Sequence, residues 1–188
     1  GIIYISGTNK KGYRELLDVP TVFIDRVPEK AGGKYVVIES DNKEGGFLAT
    51  SLLLKKGCRN VVMLADRRRL SSQKERVQGY LEAHEQMGVP VCKSNIIDVE
   101  QVSFQQAYDA VSALLDEGRV FDGVFASTDW LAMGAYVALS ERHIPVPEKV
   151  RIVGFDDISI SKYNAKPITT IHQQVDVIGQ AAVRSLLD

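Results

Sequence analysis

The chain alternates between short β-branched runs and longer segments whose apolar residues recur at helical spacing. Strand-like runs cover Ile2 to Ser6, Thr21 to Asp25, Tyr35 to Glu39, Asn60 to Ala65, Asn95 to Asp98, Gly123 to Ser127 and Arg151 to Phe155. Most are nearly continuous in apolar residues, as parallel strands covered on both faces require. Between them, Phe104, Ala107, Val111, Leu114 and Leu115 recur at three and four, as do Val77, Leu81, His84 and Met87. Asp41 or Asn42 precedes a helix running through Gly46 to Lys56 with Gly57 as its stop, Ser103 opens one that ends at Gly118, and Asp129 stands where another begins. Strands alternating with helices of this length predict an α/β fold of Rossmann-like parallel sheets joined by right-handed crossovers.

Composition narrows the class. The 188 residues are 45% hydrophobic and 25% charged, with a formal net charge of −1. Disorder requires a poorer apolar content or a larger charge. Charges or glycines interrupt every apolar run before a membrane-spanning length is reached. A near-neutral body also lacks the basic footprint of direct nucleic-acid binding. Cys58 and Cys92 lie far apart, outside any CxxC pair, and His84, His143 and His172 are isolated from them and from each other. The expectation is free, mostly buried thiols in a reducing cytoplasm and no metal site. No GxSxG elbow, P-loop, HExxH or Gly-rich dinucleotide fingerprint is present, so neither a catalytic residue nor a cofactor is assigned. The chain opens within a strand pattern and closes directly after a helical one, and reads as a piece of a longer protein.

Open parallel sheets bind ligands beyond the carboxyl ends of their strands. Those positions hold Asp25 and Arg26, Asp41, Asp66, Ser127, Thr128, Asp129, Asp156 and Asp157, with Ser71, Ser72 and Arg76 following Asp66. A rim of hydroxyls and carboxylates with one guanidinium suits a small polyhydroxylated or amide-rich molecule, because Arg offers a donor fork and Asp a pair of acceptors.

The order of motifs resembles the effector-binding region of the lactose-repressor (LacI/GalR) family of bacterial transcription regulators. It runs Val22-Phe23-Ile24-Asp25-Arg26, Asp41-Asn42, Leu53-Leu54-Lys55-Lys56-Gly57-Cys58-Arg59-Asn60-Val61 and Glu75-Arg76-Val77-Gln78-Gly79-Tyr80. Further on come Thr128-Asp129-Trp130-Leu131-Ala132-Met133-Gly134-Ala135, Ile144-Pro145-Val146-Pro147, Val153-Gly154-Phe155-Asp156-Asp157 and Pro167-Ile168-Thr169-Thr170-Ile171. The resemblance implies a periplasmic-binding-protein-like (type I) architecture of two hinged lobes with the effector between them. Residues 1–40 and 169–188 would form part of the first lobe, which is incomplete, and 41–168 the second. It also implies that Arg76 and Asp156 clamp the ligand, that Thr128 and Ser72 add hydrogen bonds, that Asp25 contributes from the other lobe, and that Asp129 caps its helix.

Two departures qualify that picture. Members commonly place a stacking aromatic before the helix at 103; here the slot holds Val102, with Phe104 two residues on. The DNA-binding headpiece is also absent, so operator DNA and a homodimer belong to the longer parent, and ligand affinity of these residues alone is expected to be weak. The effector is a sugar, a phosphorylated sugar or a nucleobase, since all three suit an Arg/Asp clamp; the basic run Arg67-Arg68-Arg69 would favour an anionic one. On the residues alone, Arg76 equally suits a surface pair with Glu75 or Glu82, Trp130 a covering role against a neighbouring helix, and His172 a structural hydrogen bond. A transport-associated sugar-binding protein of the same fold, and more remotely a flavodoxin-like enzyme, are the competing readings.

Overall fold

The structure, a computed structural model, describes residues 1–5, 19–25, 35–68, 70–160 and 166–187. It separates into two compact units, residues 1–41 with 173–188, and residues 42–172. The smaller holds three parallel strands in the order β1 (Ile2–Ile5), β2 (Thr21–Ile24), β3 (Tyr35–Ile38), and the C-terminal helix α5 (Val175–Leu187) packs against them. Val22 and Phe23 of the central strand are its buried centre.

The larger unit is a five-stranded parallel sheet in the order β5-β4-β6-β7-β8. Its strands are β4 (Val61–Asp66), β5 (Ile96–Val99), β6 (Gly123–Ala126), β7 (Arg151–Asp156) and β8 (Thr169–His172). Four helices alternate with them: α1 (Asn42–Lys55), α2 (Ser71–Gln86), α3 (Phe104–Asp116) and α4 (Asp129–Glu141). Strand residues alternate between two cores, as the period of two demands. Val62, Leu64, Val124, Ala126 and Ile152 pack with α3 and α4, while Val61, Met63, Ala65, Phe125, Val153 and Phe155 pack with α1 and α2. The strand order turns back between β4 and β6, and the crevice outside the carboxyl ends at such a point is where doubly wound sheets hold ligands.

Two expectations need correction. Residues from 169 onward do not all join the smaller unit: Thr169–His172 is a strand, β8, paired in parallel with β7, so the boundary falls between His172 and Gln173. Helix α1 starts at Asn42, so that of the two residues offered before it Asp41 is the one that precedes it. Of the two cysteines only Cys58 is buried, its thiol donating to the Asp122 carbonyl at 3.2 Å, whereas Cys92 is exposed. Among the described residues no helix is long and apolar enough to cross a membrane, and no group of three potential ligands could hold a metal ion.

At Gly46 and Gly79 helices α1 and α2 meet backbone to backbone. A Cβ built on Gly79 would lie 2.0 Å from the Lys43 carbonyl oxygen, and one on Gly46 would lie 2.3 Å from the Arg76 carbonyl oxygen. Backbone rather than a flexible side chain stands in the way, so an added methyl can be accommodated only by moving a helix. Gly79→Ala is therefore expected to destabilise the larger unit by about 2–3 kcal/mol. This would be read as a lower urea midpoint, and an unchanged midpoint would contradict the packing described.

Candidate functional site

The site is built around a guanidinium taken almost wholly out of water. Arg76, in the second turn of α2, is 2% exposed. Its Nε donates to Asn42 Oδ1 at 2.9 Å, and its Nη1 donates to the Ser127 carbonyl at 2.6 Å and lies 3.5 Å from Asp156 Oδ1. Its Cζ stands 3.6 Å from the centroid of the Phe155 ring. Four segments thus converge on one side chain: the start of α1, the end of β6, the end of β7 and α2 itself. A buried charge demands such partners, because each unmet donor would carry its full desolvation cost. The alternative surface pairing of Arg76 with Glu75 or Glu82 is not what forms; Glu82 pairs with Lys43 at 2.7 Å.

Asp156 ends β7 and Asp157 follows it, with φ of 108° and 54°, and Asp25 follows β2 at 65°. Left-handed backbone costs a residue with a Cβ on the order of 1–3 kcal/mol and persists only where its surroundings enforce it. Aspartate tolerates the conformation better than most residues. In the larger unit the enforcement is visible. The Thr170 hydroxyl donates to Asp129 Oδ1 at 2.6 Å and lies 3.4 Å from the Asp157 amide, which donates to it. Asp129 Oδ2 accepts from the Ile158 amide at 2.9 Å, and His172 Nδ1 lies 2.9 Å from Asp157 Oδ2.

These contacts correct one expected role. The helix cap at α4 is Thr128, whose side chain accepts from the Leu131 amide, while Asp129 is the first helical residue and ties α4 to the β7–β8 end of the sheet. Ser72 is buried in the first turn of α2. Val102 is half-buried and packs against the α3/α4 core. Phe104 is half-buried as the first residue of α3, and no contact joins it to Arg76 among those observed. Asp25 lies in the smaller unit, where its amide donates to the Ile38 carbonyl at 3.0 Å. Trp130 is 44% exposed, and His172 makes the structural hydrogen bond expected of it.

The basic run does not leave a free pair of cations. Arg68 forks both oxygens of the buried Asp66 carboxylate at 2.6–3.1 Å, and Arg67 pairs with Glu100. The third member, Arg69, and the strand-end Arg26 lie outside the described residues. Asn42, Phe155 and the Ser127 carbonyl were not singled out as site residues, although Asn42 and Phe155 stand inside the motifs quoted above. The signal for Phe155 is the adjacency of an aromatic to Asp156 on a strand whose face meets α1 and α2.

Burial pushes the Asp129 carboxyl above its ordinary value of 3.8; hydrogen bonds from Thr170 and the Ile158 amide oppose the rise, and the Asp157 charge adds to it. The folded state then holds this proton more tightly than the unfolded chain. Its contribution to stability is complete below 3.8 and declines as pH rises from there through the raised value. Asp129→Asn is expected to flatten that decline in urea midpoints taken over the acid range; an unaltered slope would show that Asp129 is not its source.

Comparison with known proteins gives the family and the fold. A family model described as a periplasmic binding protein-like domain matches residues 50–188. The chain is 29% identical to the ribose operon repressor of Escherichia coli (strain K12) over 195 residues, which takes in all of this chain and 57% of that protein. A solved structure described as a transcriptional regulator CelR-cellobiose complex superposes with a TM-score of 0.88 at 29% identity, covering 100% of this chain and 58% of that one. A LacI family transcriptional regulator from Enterococcus faecium with bound ribose superposes at 0.79 and 30% identity, covering 90% and 61%. The chain spans about half the length of the curated relatives it matches.

Proposed function

This chain belongs to the periplasmic binding protein-like family, in the form carried by LacI-family regulators, and from that premise we propose that it is the sugar-sensing part of a DNA-binding transcription regulator. The observation that carries the reading is the Arg76 guanidinium, buried and anchored at the carboxyl end of the sheet, beside an Asp156 carboxylate whose side chain stays 23% exposed. A rigid donor fork next to an accessible acceptor pair suits vicinal hydroxyls, and little ordering remains to be done when the ligand arrives. Thr128 and Ser72 add hydroxyls on neighbouring elements, and Asp25 of the smaller unit is a residue of the same kind, a strand-end aspartate in left-handed backbone. Paired as they are, Arg67 and Arg68 favour a neutral sugar over its phosphate ester or another anion.

In the longer regulator, sugar occupancy shifts the population of conformers, and the operator affinity of a separate DNA-binding part shifts with it through a homodimer. The relatives named above are regulators, which supports this reading over a transport-associated binding protein. The reading requires no cofactor and no catalysis, and it places the protein in the cytoplasm, where the DNA is.

The test is a titration of the isotope-labelled chain with D-ribose, cellobiose and adenine, followed by two-dimensional NMR, which registers even millimolar binding. A sugar is expected to move the amides of Thr128, Asp156 and Asp157 saturably, and adenine to leave them in place. Arg76→Lys should weaken the sugar response about tenfold or more, because an ammonium cannot span the acceptors that a planar fork does. The same substitution should cost about 2 kcal/mol of stability by leaving buried acceptors unmet. Saturable binding of adenine with no response to either sugar would overturn the reading, as would undiminished sugar binding by the lysine variant.

A further inference from the structure

Asp129, Thr170 and His172 have no part in the ligand clamp described above, yet all three converge on the turn that presents it. Asp156 and Asp157 stand in consecutive left-handed conformations. The turn's next two amides each have a named acceptor: Asp157 N–H on the Thr170 hydroxyl and Ile158 N–H on Asp129 Oδ2. Thr170 passes its own proton to Asp129 Oδ1, so one buried carboxylate holds the turn both directly and through β8. There is no slack beneath it, since a Cβ on Gly154 would lie 2.2 Å from Asp129 Oδ1. From the other side, His172 at the end of β8 takes the Asp157 carboxylate at 2.9 Å.

We infer that Asp129, Thr170 and His172 are positioning residues that hold the Asp156-Asp157 turn in its strained form, and so set ligand affinity through Asp156 without touching the ligand. This rests on the sugar-sensing reading for its ligand but not for its mechanics. The arrangement has a further property. His172 is the last residue of the larger unit, and Gln173 opens the second stretch of the smaller one, where its Oε1 accepts from the Ser40 hydroxyl at 2.8 Å. Ser40 stands two residues before the chain first enters the larger unit at Asn42. The β8 segment that grips the turn thus ends where the chain passes from the larger unit to the smaller.

His172 is the residue to test, because its side chain is 64% exposed and its removal leaves the cores intact. Asparagine places an amide nitrogen close to the position of Nδ1, whereas glutamine reaches toward that of Nε2. In His172→Ala and His172→Gln, hydrogen exchange at the Asp157 and Ile158 amides is expected to speed up about tenfold or more, with the urea midpoint and the exchange of the β4 and β6 amides unchanged. His172→Asn should restore slow exchange. Thr170→Val should match the alanine variant at the Asp157 amide. Those measurements need no ligand. In parallel, whichever of D-ribose or cellobiose binds the unaltered chain should bind His172→Ala about tenfold more weakly and His172→Asn nearly normally.

If neither sugar binds any variant while the exchange pattern holds, the sugar reading fails and the positioning role stands. If exchange at Asp157 and Ile158 is the same in all variants, the positioning role is overturned. It is equally overturned if His172→Ala lowers the global midpoint and accelerates every amide alike, since that is the behaviour of a general structural residue.

Discussion

The contact on which the rest depends is the bare approach of α1 to α2. Because Gly46 and Gly79 present no side chain, the backbone of Arg76 rests directly on α1, and the guanidinium arrives beside Asn42 at the very start of that helix. A helix pair held apart by ordinary side chains sits about 8–10 Å between axes; closer packing is what lets a single arginine reach α1, β6 and β7 together. The sheet supplies the acceptors at their strand ends, but the glycines supply the register. Phe155 completes the cage from below, where Gly45 leaves room for its ring.

Around that arginine the site is a balance of enforced costs. A cation is buried, a carboxylate is desolvated at Asp129, and two successive aspartates are held in left-handed backbone. Each is unfavourable alone and each is answered by a specific partner. Strain and buried charge concentrated at the carboxyl end of a sheet mark a place where the structure has been shaped for something other than stability.

Much of the fold was legible because parallel strands and amphipathic helices leave different periods in the sequence. The alternation of cores along β4, with Val61 and Met63 to one side and Val62 and Leu64 to the other, follows from period two alone. The strand β8 was less visible: Thr169-Thr170-Ile171-His172 is four residues at the edge of the sheet, with a polar hydroxyl that earns its place only through Asp129, a partner forty-one residues away. That the cap falls on Thr128 rather than Asp129 has a similar origin. Both residue types cap helices, and a one-residue difference in where α4 begins decides which side chain turns back on the helix and which crosses to its neighbour. Arg76 was found by its neighbours in sequence; its burial, and the ring beneath it, required the tertiary packing of α2 on α1.

The fork of Arg68 on Asp66, and the pairing of Arg67 with Glu100, carry a consequence for how such a sensor behaves in a changing cell. Charges that cancel internally project little field into solvent, and those that are buried are screened little by mobile ions. On the proposed sugar-sensing reading, a site whose cation is enclosed, with Arg67 and Arg68 internally paired, would draw its ligand by fit and hydrogen-bond geometry rather than by long-range attraction. Its occupancy would then follow the concentration of the ligand and remain nearly indifferent to ionic strength, a useful property for a device that must report one solute faithfully while the salt around it rises and falls.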